Sequence, residues 1–253
     1  MRASNPVLNE STFDSEAQFT TGPSRMTVGG AVMKTSALVI ILLTTGALAW
    51  TQLNASMAEG GTRPGWFMLA LIGSSIGGFI VAMITSFVPK ASPFTAPLYA
   101  ALQGVFLGLF SNLFEARFPG IVLQAVGLTI GVLVMLLFLY GTRIIRVTEK
   151  LRLGIIAATG AVALIYLASF VLSLFGVNIP YIHGSGLIGI GFSLVVVGIA
   201  AMNLVLDFDF IEQGSRRPTP KYMEWYAGFG LLVTLVWLYL EILKLLSKLR
   251  SRD

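Results

Sequence analysis

The sequence predicts an all-α integral membrane protein, a bundle of seven transmembrane helices, on three observations. Of its 253 residues, 55% are hydrophobic and only 11% charged, against about 25% charged in an average soluble domain. Uncharged runs of about 18 residues or more recur, each long enough to cross about 30 Å of hydrocarbon at roughly 1.5 Å per residue. The basic residues fall mainly in loops and at the ends of these runs. Lipid offers no partner for a backbone N–H or C=O, so each run must satisfy itself as a helix.

The first thirty residues, rich in Ser, Thr and Gly and without an apolar core of signal-peptide length, predict a mobile, uncleaved polar tail (1–30) before one seven-helix domain (31–253). The first span is expected at 32–52, ending in Trp50 at an interface, and the second at 66–88, opened by Trp66 and closed by Pro89-Lys90. The third covers 95–115 and is divided from the fourth, 119–141, by the tight Arg117-Phe118-Pro119-Gly120 turn. The fifth and sixth are expected at 153–176 and 185–210, and the seventh lies between Tyr222 and Leu249. Small residues recur within them, as in GSSIGG, QGVFLG, GIIAATGA and HGSGLIGIG. At three- and four-residue spacing they let helix backbones approach closely. No strand precedes them, so they are not phosphate-binding loops.

Seven spans put the termini on opposite sides. Most of the 17 Lys and Arg, among them Arg143, Arg146, Lys150, Arg152, Arg216, Arg217 and Lys221, fall on the N-terminal side. The positive-inside rule then makes that side cytoplasmic, although Lys244, Lys248, Arg250 and Arg252 after the last span pull the other way. The net charge of +5 reads as orientation and contact with anionic lipid, with no nucleic-acid partner. Zero cysteines exclude disulfides and thiolate chemistry, and a lone histidine, His183, excludes a His-pair zinc site.

The acids near the end of the sixth span stand out. In LVLDFDFIEQG, Asp207 and Asp209 are two residues apart, about 200° around a helix, so only one of them can face a given neighbour. A carboxylate within hydrocarbon is costly and usually faces a cavity, a partner or a proton path. Alternatively the sixth span ends near Leu206 and DFDFIEQG is an amphipathic exit in ordinary solvent. Glu241, in WLYLEILKLLSKL, is either a second buried acid or one half of an i, i+3 salt bridge with Lys244 at a helix end. Asp207 and Glu241 can meet only if the last helix starts late, near Phe229, with YMEWYAGF at the interface. If they meet, they share a low-dielectric site, hold a proton near neutral pH, and form a latch whose ionisation leaves oxygen ligands for a hard cation such as calcium.

From about Met26 to Leu249 the chain resembles the transmembrane Bax inhibitor motif family, the Bax inhibitor-1-like proteins, and more closely their bacterial branch. The resemblance is carried, in order, by NPVLNESTF, MTVGGAVMKTS, PFTAPLYAALQGVFLGLFS, FPGIVLQAVGLT, LDFDFIEQG and YMEWYAGFGLLVTLVWLYLEILKLL. It implies a seven-helix bundle with a central last helix and a pH-sensitive calcium leak in a bacterial plasma membrane. In that reading Asp207 and Glu241 are the gating pair, Asp209 and Glu212 are possible ion ligands, and calcium is the transported ion, with no resident cofactor. The chain departs from the family pattern in having glutamate at 241, a longer stretch between the two acids, Gln103 where relatives often have an acid, and no arginine in the second span. The competing reading is a non-conducting regulator that binds another membrane protein, such as a protease or a stress-response partner. An enzyme is not expected: no Gly-x-Gly-Asp motif accompanies the aspartates, and the lysine of a retinal protein has no counterpart within the last span.

Overall fold

The computed structural model describes residues 25–176, 184 and 186–252. His183 and nearly all of the expected tail, with NPVLNESTF, lie outside the described residues. Seven helices long and apolar enough to cross a membrane follow in order: α1 Val28–Gly60, α2 Trp66–Phe87, α3 Ser92–Arg117, α4 Ile121–Gly141, α5 Glu149–Leu174, α6 Leu187–Arg216 and α7 Met223–Arg250. The protein is therefore an integral, multi-pass membrane protein. Large apolar side chains on the rim, among them Leu69, Phe79, Phe94, Leu123 and Phe175, are exposed by more than 60%, as lipid contact requires.

Local chemistry sets most boundaries. Thr27 caps α1, its hydroxyl accepting the Gly30 N–H at 2.9 Å, and Thr148 caps α5 in the same way through the Leu151 N–H. Gly61 ends α1 at φ 67°, a left-handed position suited to glycine. A single 3₁₀ turn, Pro89–Ala91, joins α2 to α3. Residues 28–30, expected as tail, already belong to α1.

Two boundaries overturn expectations. The sixth helix does not stop near Leu206; it continues to Arg216, so DFDFIEQG is helical throughout. The last helix starts at Met223 and not near Phe229, so MEWYAGF is its first two turns and no separate interfacial segment. Tertiary contact decided the second point. Glu224 is only 2% exposed and its Oε1 accepts both the backbone N–H and the hydroxyl of Thr27 at 3.1 Å. The carboxylate thus sits on the positive end of α1, and the Met26 N–H donates to Thr219 O at 2.8 Å beside it.

Helix α7 is the centre of the bundle, packed on α1, α3, α4 and α6, with Tyr226, Phe229, Leu232 and Leu238 buried. Helix α5 is peripheral and packs chiefly on α6. The tightest approach is between α1 and α3. A β-carbon at Gly104 would collide with the Thr45 hydroxyl and the Leu42 carbonyl, and one at Gly108 with the Gly46 carbonyl. Backbone cannot yield as a flexible side chain can, so Gly104→Val is expected to destabilise the protein by about 3 kcal/mol. A thermal midpoint in detergent equal to that of the unmodified protein would show that this approach is dispensable.

Candidate functional site

A row of polar side chains lines one seam of this apolar bundle, between α5 on one side and α6 and α7 on the other. Arg152, Thr159 and Tyr166 stand seven residues apart on α5, two helical turns each, and so share one face. Each reaches across the seam. Arg152 Nη2 donates to Asp209 Oδ2 at 2.7 Å. Thr159 Oγ1 accepts from Asn203 Nδ2 at 2.8 Å, and Tyr166 Oη donates to Glu241 Oε2 at 2.9 Å. The facing stripe on α6 is Gly189, Ser193, Val196, Ala200, Asn203 and Asp207, alternately four and three residues apart and all buried.

The seam opens on the N-terminal side at a carboxylate pair. Asp209 and Glu212 lie one turn apart and share the Tyr140 hydroxyl, which is 3.4 Å from Asp209 Oδ1 and 2.5 Å from Glu212 Oε2. Glu212 also takes Arg143 at 2.6 Å and Arg216 at 2.5 Å, while Asp209 takes Arg152 and the Gln213 amide. Charge-assisted hydrogen bonds of this kind bind strongly. The two expected ion ligands are therefore occupied by guanidinium groups, and among the described residues no three acidic or histidine side chains converge on a point that could hold a metal ion.

Deeper in the seam, Asp207 is 2% exposed and, of the two aspartates, is the one turned into the bundle. Glu241 is 1% exposed. It does make the i, i+3 bridge to Lys244, at 2.9 Å, from a carboxylate that is itself buried. Lys244 Nζ lies over the Tyr166 ring, 5.0 Å from its centroid. One turn further, Lys248 donates to Gly189 O and Ser193 Oγ.

Asp207 and Glu241 do not meet. The Lys248 contacts fix the antiparallel register of α6 and α7, and in that register the two acids stand about 13 Å apart along the axis. The early start of α7 is the cause. Gln103, noted because relatives often carry an acid there, packs against Gly78 of α2 and takes no part in the seam.

Between the Asn203–Thr159 rung and the Tyr166–Glu241 rung the seam is lined by apolar side chains. Val162 of α5 is 5% exposed, and Val196 and Ala200 of α6 are fully buried. They fill about 10 Å, the length of the seven residues from Thr159 to Tyr166. Sequence reading missed Arg152, Thr159 and Tyr166 as partners. Their signal was present as a seven-residue polar repeat in an otherwise apolar span.

A family model described as Bax inhibitor 1 like matches residues 5–251. Neither a curated protein nor a solved structure matches the chain.

Proposed function

On the premise that the chain belongs to the Bax inhibitor 1 like family of membrane proteins, we propose that it is a pH-sensitive cation leak whose transported ion is calcium and whose path is the α5/α6/α7 seam. The observation that carries this reading is the ladder of polar rungs at successive depths, interrupted by one apolar plug. Asp207 and Glu241 offer carboxylate oxygens of the kind a hard cation takes. A short dry constriction of Val162, Val196 and Ala200 holds the path shut, as dewetted gates do. The Arg-rich N-terminal side is taken as cytoplasmic, in a bacterial plasma membrane.

Helix α5 is the moving part in this proposal, because its ties to α7 run through the Tyr166 side chain, to Glu241 and to Lys244, and not through close backbone packing. The groups facing Glu241 are Tyr166 on α5 and Lys244 and Lys248 on α7. Loss of charge at Glu241 cancels its attraction for the two lysines and loosens the Tyr166 hydrogen bond that ties α5 to α7. Acidification should therefore open the seam. The pH response rests on Glu241 and its lysines, and the direct latch between Asp207 and Glu241 is not part of it.

The test is calcium entry into proteoliposomes at pH 6, 7 and 8. Flux through the unmodified protein should rise as pH falls. Glu241→Gln, which carries no charge at any pH, should conduct throughout and lose the pH dependence, and Asp207→Asn should lower flux about tenfold by removing the negative charge that a cation would meet there. No flux above that of empty vesicles from a folded protein at any pH would end the channel reading and favour the non-conducting regulator.

A further inference from the structure

A second feature lies away from the seam, on the opposite flank of α7. A cleft of about 350 Å³ is bounded by α1, α3, α4 and α7, within the size range of small-ligand sites. Its floor is the glycine-mediated approach of α1 to α3, where Gly46, Gly104 and Gly108 leave no side chain to fill the space. Helices α1 and α4 flank it without packing on one another. Their rim residues Leu43 and Ile130 are 53% and 54% exposed, so the cleft opens sideways into lipid.

The lining selects hydrocarbon. Its hydroxyls are satisfied within the protein: Ser111 and Tyr239 bond each other at 2.6 Å, and Thr129 donates to Ala125 O at 2.7 Å. Water would find almost no partner there, and a dry apolar cavity favours an apolar guest. The dimensions fit one leaflet. On α4 the cleft runs from Val122 to Leu133, eleven residues or about 16 Å, close to half of the roughly 30 Å hydrocarbon core. Its upper end is charged, the Glu115 carboxylate capping the Gly120 and Val122 N–H groups and a guanidinium standing beside it. There Trp50 lines the wall, and the Arg250 guanidinium is anchored by Pro119 O at 2.6 Å and Gln124 Oε1 at 3.0 Å, just above Val122.

We infer that this cleft is a lipid site: one acyl chain of a phospholipid from the leaflet on the C-terminal side lies between α1 and α4, with its phosphate at Arg250. The inference is independent of whether the seam conducts. The chain enters sideways from the bilayer, and the guanidinium gives the site a preference for an anionic headgroup.

Two measurements test it. Native mass spectrometry of the detergent-purified protein should show one retained phospholipid, and Ala47→Phe, which fills an exposed position on the cleft wall, should lower the lipid-bound fraction about tenfold. In protein retaining Trp50 alone, with Trp66, Trp225 and Trp237 changed to Phe, phosphatidylglycerol brominated on its chain should quench fluorescence at several-fold lower mole fraction than the phosphatidylcholine analogue. Arg250→Gln should bring the two together. Equal retention by Ala47→Phe with an unchanged thermal midpoint would overturn the site, and so would equal quenching by the two headgroups in protein with Arg250 intact, since that is the behaviour of ordinary boundary lipid.

Discussion

Val162→Asn is expected to raise passive calcium entry into proteoliposomes at least tenfold at neutral pH, the largest functional change predicted for any single substitution. Val162 sits on the α5 face between Thr159 and Tyr166 and is 5% exposed. Opposite it, Val196 and Ala200 leave no polar atom on the α6 stripe for about 10 Å. An amide there supplies a hydrogen-bonding foothold midway through the dry stretch. Each 1.4 kcal/mol removed from the barrier is about a factor of ten in rate, so even partial wetting is visible. The substitution also buries a polar group, at about 1–3 kcal/mol of stability, so the thermal midpoint should be recorded beside the flux. Val162→Leu is the control, apolar and slightly larger, and should leave the leak at its basal level. An unchanged flux in folded Val162→Asn would place the barrier elsewhere and remove the plug from the proposal.

The second large effect concerns stability. Lys244→Met is expected to cost about 3 kcal/mol at neutral pH, because removing one partner of a buried pair leaves a charge without compensation. Glu241 is 1% exposed, with Lys244 on one oxygen and Tyr166 on the other. The Lys244 side chain is itself 40% exposed, so the cost belongs to the carboxylate left behind and not to lost packing of the lysine. One further observation checks this account. The double variant Lys244→Met with Glu241→Gln should recover most of the stability of the unmodified protein. Additive losses in the double variant would show that the two side chains act independently.

These predictions draw on different levels of the molecule. The spans were legible because a transmembrane helix is a local object: about twenty apolar residues, a cap and a break are written consecutively in the chain. The acids were legible as acids for the same reason, since Asp207 and Glu241 stand out against apolar neighbours. Even the α5 half of the ladder was written in the sequence, as the repeat from Arg152 to Thr159 to Tyr166. Its meaning was not, because a seven-residue repeat gives a face and not what lies opposite it.

The sequence by itself determined the all-helical membrane class, the seven spans, most of their ends, and the residue types available for chemistry. Tertiary structure alone decided which acids meet which partners. Glu224, read as part of an interfacial segment, is buried because the N-terminus of α1 happens to arrive above it, and that contact fixes where α7 begins. The start of α7 fixes its register on α6, and the register separates Asp207 from Glu241 while bringing Glu241 to Tyr166. Each is a side-chain contact between residues 75 to 197 positions apart. Contacts of that range depend on how far one helix has slid along another, a displacement of a few ångströms that hydropathy leaves undetermined because every lipid-soluble register satisfies it equally.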